Sequence, residues 1–254
     1  MKEKQQINTE KKRIRSSFVK LDFDEDKHVY FVDNKPLKAS VSKLIKQFYK
    51  PFLSKKKAKE IVQGNLQTGS INKYSGMSER EILAQWKEIN EEALERGNRV
   101  HEFGERYPFN KKLKPICNQE KAVVKFWEEL PSHIYPVMLE YRMYHFDKMF
   151  GGTADIILFD TKKGQYIIAD YKTNNDLFKN YKEKKMLNPF EDLLDCPFSH
   201  YELQLSYYQI MLEQISVKVD KRIIIHLLKD GNYKLYNSRD FTTRINNTLY
   251  SKAA

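Results

Sequence analysis

Residues 151–174 read GGTADIILFDTKKGQYIIADYKTN. Two apolar runs, IILF and YIIA, flank the polar stretch TKKG, a pattern that predicts a β-hairpin. Asp155 opens the first strand, Asp170 closes the second, and Lys172 follows two residues later. Residues two apart on a strand share a face, so Asp170 and Lys172 point one way and Tyr171 the other. Closing the hairpin near TKKG brings Asp155 opposite the end of the second strand. Two carboxylates and an ammonium therefore meet at one end of a sheet. Carboxylates that close repel each other unless a proton or a hard cation lies between them. Oxygen ligands select Mg²⁺ or Mn²⁺ over softer metals. The plain alternative is an exposed hairpin whose Asp and Lys are edge charges.

Working outward, YPVMLEYRMYHF (134–146), RIIIHLLK and YKLYN read as further strands, and HYELQLSYYQIMLEQ as a helix. The tail from Arg239 is expected to be helical. On the N-terminal side, NQEKAVVKFWEEL is an amphipathic helix. Ser78 and Glu81 have capping-box spacing at the head of one long helix, SEREILAQWKEINEEALERGNRVHEFGERY. KKKAKEIVQ predicts another helix, and ASVSKLIKQFYKPF one capped by Ser40 or Ser42. FVKLDFDEDKHVYFVD alternates around a charged turn, a second hairpin over 18–33. Helices flanking a central run of strands define a mixed α/β fold. No repeat and no Gly/Ser/Pro linker interrupts the chain. Residues 1–17 are expected to be a disordered basic tail, and 18–254 a single domain.

The chain has 254 residues, with 45 basic against 34 acidic side chains and a formal charge of +11. That surplus favours a polyanionic partner, nucleic acid before membrane, although basic proteins without such a partner are common. Cys117 and Cys196 form no CxxC pair, which suits a reducing, cytoplasmic setting. No apolar run is long enough to span a bilayer. The N-terminus has no apolar h-region of a secretory signal, and nothing supports mitochondrial targeting.

The fuller pattern, Gly-Thr-Ala-Asp, an apolar strand, a turn, then apolar-Asp-Tyr-Lys-Thr, resembles the PD-(D/E)xK nuclease superfamily. The likeness is to its RecB-like branch and the related phage-type and mitochondrial genome-maintenance exonucleases. Further stretches agree in type and order. HVYFVDNKPLKASVSKLI is similar to the N-terminal signature of the phage-type enzymes, and ALERGNRVHEFGE to the family's Ala-x-x-x-Gly-x-x-x-His-x-x-x-Glu helix. Glu140 corresponds to the acidic residue on the strand before the hairpin, and Gln204 with Tyr208 to the Gln-x-x-x-Tyr helix. The resemblance covers roughly residues 27–230. It implies a restriction-endonuclease-like core, at about 93–230, with a central mixed sheet between helices. It also implies Mg²⁺-dependent cleavage of DNA to 5′-phosphate products, with Mn²⁺ able to substitute. Asp155, Asp170, His101 and the carbonyl of Tyr171 would hold the metal, and Lys172 would orient the attacking water, help deprotonate it, or neutralise charge.

Ala93, Gly97, His101 and Glu105 are spaced by four and line one helical face, which brings His101 within reach of a metal. Glu140 reads either as a ligand for a second metal or as a paired surface carboxylate. Gln204 and Tyr208 read either as site residues or, like their neighbours, as core. His28, His133, His145, His200 and His226 match no motif and read as structural. Some relatives hold an iron–sulfur cluster on four cysteines, and two cannot do so. The stretch 173–198 is irregular and interleaves Phe178, Tyr181 and Phe190 with Lys179, Lys182, Lys184 and Lys185. It reads either as a DNA-binding segment favouring unpaired strands or as a solvated loop. A structure-specific or restriction-like endonuclease, an RNA-processing nuclease and a noncatalytic DNA-binding accessory protein are the alternatives to an exonuclease in replication, recombination or repair.

Overall fold

The computed structural model describes residues 2–24, 27, 29–68 and 71–251. His28 lies outside the described residues. The chain divides into two units, Met1–Tyr49 with Val100–Ala254, and Lys50–Arg99, where a single domain was expected. The division falls inside one long helix. Local helix-forming sequence continues smoothly across a point where the tertiary contacts change.

The larger unit is built on a mixed sheet. β5 (Ile134–Tyr144), β6 (Phe150–Asp160) and β7 (Gln165–Lys172) run antiparallel to one another in turn. β8 (Val219–Leu227) lies parallel to β7, and β9 (Tyr233–Asn237) returns antiparallel to β8. The predicted hairpin is present. Asp160 pairs with Gln165, and the Asp160 carboxylate accepts from Lys162 and Lys163 N–H at 2.9 and 3.0 Å. Gly164 supplies the φ of +65° that the turn requires. The parallel β7–β8 pair needs a crossover, and α6 (Pro197–Glu213) provides it.

Both faces of this sheet are covered, so its central strands read as near-continuous apolar runs. One face carries Ile157, Phe159, Ile168 and Ile224 against α6, α7 (Thr242–Tyr250), α2 (Val41–Ile45) and α1 (Lys2–Ser17). The other carries Ile156, Leu158, Ile167 and Ile225 against α5 (Asn118–Glu129) and the residues from Val100 onward. Ser40 caps α2, accepting from Lys43 N–H at 3.2 Å. β1 (Leu21–Asp24), β2 (Val29–Val32) and β3 (Lys35–Pro36) form a separate antiparallel sheet.

Residues 1–17 were expected to be a disordered tail, and α1 corrects that. Ile14 is fully buried, Ile7 nearly so, and the Arg13 guanidinium donates to the carbonyls of Ile215 and Ser216. Composition marked the segment as solvated because lysines dominate it. The apolar residues at 7 and 14, two helical turns apart, make the stripe that docks.

The second unit holds α3 (Ser54–Thr68) and the start of α4 (Glu79–Arg106). The capping box is as predicted, with Ser78 N–H donating to Glu81 at 2.7 Å and Glu81 N–H to the Ser78 hydroxyl at 3.3 Å. Trp86 donates to the Tyr74 hydroxyl at 2.8 Å and its ring meets Phe52.

Candidate functional site

β6 is paired along one side by β5, while its other side is shared. β4 (Ala39–Ser40) pairs with Phe150 and Gly151, and β7 joins only from Ile156 onward. The sheet therefore forks, and Asp155 stands in the fork. Continuing the hairpin register one step beyond Ile156–Ala169 sets Asp155 against Asp170. There the ladder opens, and Tyr171 N–H donates instead to the Asp155 carboxylate at 2.9 Å.

Glu140 is the residue of β5 opposite Asp155, between the Leu139–Ile156 and Tyr141–Ala154 pairs. Its φ is +44°, a left-handed conformation inside a strand. Such a backbone costs about 1–2 kcal/mol for a residue with a Cβ and persists only where the surroundings impose it. The kink brings Glu140 to His101 of α4. His101 Nδ1 lies 3.4 Å from the Glu140 carboxylate and 3.2 Å from that of Asp155. Its Nε2 is 3.2 Å from the Tyr171 carbonyl. One ligand atom each from His101, Glu140 and Asp155 falls within 4.8 Å of the others. Burial works against a charged imidazolium here, but Asp155 and the Glu140 hydrogen bond outweigh it and push the His101 pKa up to about 9.

Asp170 is fully buried, and neither carboxylate oxygen has a partner of hydrogen-bonding geometry. The Lys172 ammonium makes a contact ion pair with Oδ2. Burial, then Asp155, raises the Asp170 pKa to about 7. Burial alone would lower the Lys172 pKa, but Asp170 and Asp155 more than reverse this and hold it above its ordinary value. Lys172 therefore stays an ammonium, and its Nζ sits 4.3 Å from the centre of the Tyr201 ring.

The two carboxylates of Glu140 and Asp155 and the His101 imidazole fit a divalent cation, with Asp170 next to them paired to Lys172. An oxygen-rich donor set suits Mg²⁺ or Mn²⁺, and the buried Asp170 Oδ1, which has no hydrogen-bond partner, is what such an ion would relieve. The ligands gathered closest differ from the expected set in one member. Glu140 joins His101 and Asp155, while Asp170 faces Lys172.

The other expected residues separate. Gln204 turns its amide to the Tyr208 hydroxyl at 2.9 Å rather than to Lys172. Tyr208 is buried, and a Cβ on Gly152 would stand 2.8 Å from its ring, so Gly152 admits it beside the fork. Burial first, then Asp170 and Asp155, raises its pKa. Glu105 is exposed, and burial, Glu140 and Glu102 together raise its carboxyl pKa. In the loop, Lys179, Lys182, Lys184 and Lys185 are exposed, as is Tyr181. Phe178 is 49% exposed and packs one side on Phe198 and Tyr236. Phe190 is fully buried against Phe48 and Phe241, which makes it core.

Three contributors escaped the sequence. Tyr201 lies one turn before Gln204 on α6, a spacing that signals the same face. Gly104 packs so closely under the Tyr171 ring that a Cβ there would stand 2.5 Å from it. His226 occupies a buried strand beside Lys172, its only signal being a lone polar residue in IIIHLL. No family model and no curated protein matches the chain.

Proposed function

We propose that the protein is a divalent-cation-dependent deoxyribonuclease that hydrolyses phosphodiester bonds. The observation that carries this reading is the convergence of His101, Glu140 and Asp155 beside the buried Asp170–Lys172 pair, at a fork in the sheet. A bound Mg²⁺, with Mn²⁺ as substitute, would acidify a water and neutralise phosphate charge. His101, Glu140 and Asp155 would hold it, with the Asp170 oxygens and the Tyr171 carbonyl as the remaining donors.

Lys172 serves this chemistry as a cation. Its carboxylate neighbours keep it protonated, so it orients the water and offsets charge developing on the phosphate rather than acting as the base. Tyr201 stacks behind the ammonium and limits where it points. The basic surplus of the chain supports a polyanionic substrate. The 5′-phosphate product and the preference for strand ends rest on the motif resemblance alone.

The test is cleavage of end-labelled linear and circular DNA, single- and double-stranded, with Mg²⁺ or EDTA. Mg²⁺-dependent loss of linear DNA with circles left intact is expected, and Asp155→Ala should abolish it. No cleavage by the wild type, or full cleavage by a folded Asp155→Ala variant, would overturn the proposal.

A further inference from the structure

Residues 50–59 read KPFLSKKKAK, two large apolar side chains set beside a run of lysines. They belong to the smaller unit, Lys50–Arg99, and lead into α3. Phe52 is 66% and Leu53 59% exposed. A single exposed apolar residue is ordinary on a protein surface, so how Phe52 is held and what surrounds it decide its meaning.

Phe52 is the outer member of a fixed aromatic cluster. Its ring centre lies 5.5 Å from that of Trp86, with the planes inclined at 56°. The Trp86 indole N–H donates to the Tyr74 hydroxyl at 2.8 Å, and the Tyr74 ring meets Trp86 edge-on at 5.9 Å. Trp86 and Tyr74 are half-buried, so Phe52 is braced from behind while most of its own surface stays open. A braced, exposed ring offers a stacking face at little cost in side-chain freedom.

Cations flank the ring. Lys55, Lys56, Lys57 and Lys59 are all exposed, and the first turn of α3 has no acidic residue. Lys57 pairs with Glu60 at 3.0 Å, and among the described residues Lys55, Lys56 and Lys59 make no ion pair. Lys55 and Lys59 are one helical turn apart, where like charges repel, and cations at a helix start oppose its dipole. Helix stability therefore does not account for this run, whereas a polyanion laid along it would relieve the repulsion. A lipid surface fits less well. An interfacial helix needs an apolar face along its length, and the exposed positions of α3 are Lys, Glu and Gln apart from Leu66.

We infer that this surface is a docking platform for single-stranded DNA. A base stacks on the open Phe52 ring, and the phosphates on either side meet Lys55, Lys56 and Lys59. Unpaired strands are specified because a duplex keeps its base faces covered, and aromatic faces joined to a basic track are the physical basis of such binding. The inference goes beyond the nuclease reading and does not depend on it.

The test is binding of oligo(dT) and of a blunt duplex in EDTA, read by tryptophan fluorescence and by filter retention. Trp127 is buried, so Trp86 is the reporter, and oligo(dT) should quench the emission saturably. Phe52→Ala and Phe52→Leu should each weaken oligo(dT) binding by about tenfold, the effect of losing one stacked base, while duplex binding stays near wild type. Phe52→Trp restores a stacking face and should retain wild-type affinity. Lys55→Glu with Lys56→Glu should lower the salt slope for oligo(dT) by roughly 0.7 per lost phosphate contact. Wild-type affinity in Phe52→Ala or Phe52→Leu, an equal loss on duplex, or an unchanged salt slope would overturn the inference. So would phosphatidylserine vesicles that bind through Phe52 while oligo(dT) binding ignores it, which would give the surface to lipid. DNA cleavage with Mg²⁺ alongside Phe52-independent binding sinks the platform alone. An inert wild type that still binds oligo(dT) through Phe52 sinks the nuclease reading alone.

Discussion

Replacing Asp170 by Asn should flatten the pH dependence of folding stability in the metal-free protein. The carboxyl is fully buried, and burial with the neighbouring Asp155 raises its pKa to about 7 from an ordinary 3.8. A group whose folded pKa is raised contributes stability that is complete below the unfolded pKa and is lost as pH rises through the folded one. Between about pH 5 and about pH 8 the wild type crosses about two units of that window, ending at the folded value near 7. At about 1.4 kcal/mol per unit, the loss is roughly 3 kcal/mol.

The Asn variant has no proton to exchange there. His101 is held up chiefly by Asp155 and the Glu140 hydrogen bond, with Asp170 the smallest contributor, so most of its own pH dependence is common to both proteins. Loss of the Lys172 ion pair shifts the variant's absolute stability, which is why the pH slope is the diagnostic quantity. Urea titrations in EDTA at both pH values measure it. Equal pH slopes in wild type and variant would refute the reasoning from burial and repulsion. Adding Mg²⁺ near pH 8 should stabilise the wild type and do much less for the variant, because only the wild type gains a counter-ion for that carboxylate.

Lys172→Met should cost at least about 10²-fold in single-turnover cleavage while DNA binding stays near wild type. A parallel fall in gel-shift affinity would make Lys172 a backbone anchor. Gly104→Ala should destabilise by roughly 1–2 kcal/mol net, since overpacking against the buried Tyr171 ring exceeds the helix-propensity gain of about 1 kcal/mol. A urea midpoint at or above wild type would show that the ring yields. Charge reversal at Lys182 and Lys184 should reduce the salt slope of DNA binding by roughly 0.7–0.9 per lost contact, and unchanged slopes would return the loop to bare solvent. Tyr181→Ala should weaken single-stranded more than duplex binding, whereas Phe178→Ala also loses packing on Phe198 and Tyr236.

Local pattern was enough for the elements. The existence of the three central strands and the Ser78–Glu81 capping box depend on neighbours a few residues apart and were legible in the chain, whereas the choice of Ser40 over Ser42 as the α2 cap and the start of β6 at Phe150 were not. Alternation placed Asp170 and Lys172 on one face and Asp155 at their end of the hairpin, because strand geometry has a fixed period. Long-range contacts decided the rest. Whether α1 packs down depends on partners such as Ile215, far away in sequence. The left-handed φ of Glu140 occurs opposite Asp155, at the point where β4 and β7 leave a gap on the other side of β6, a juxtaposition that appears only in the assembled sheet. The burial that raises Asp170, the unpartnered nitrogen of His226 and the ring beneath Gly104 are properties of surroundings assembled from α4, α5, α6 and β8. Residue type named the candidate ligands, and tertiary packing decided which of them meet, because a side chain's reach and desolvation depend on residues the local sequence does not contain.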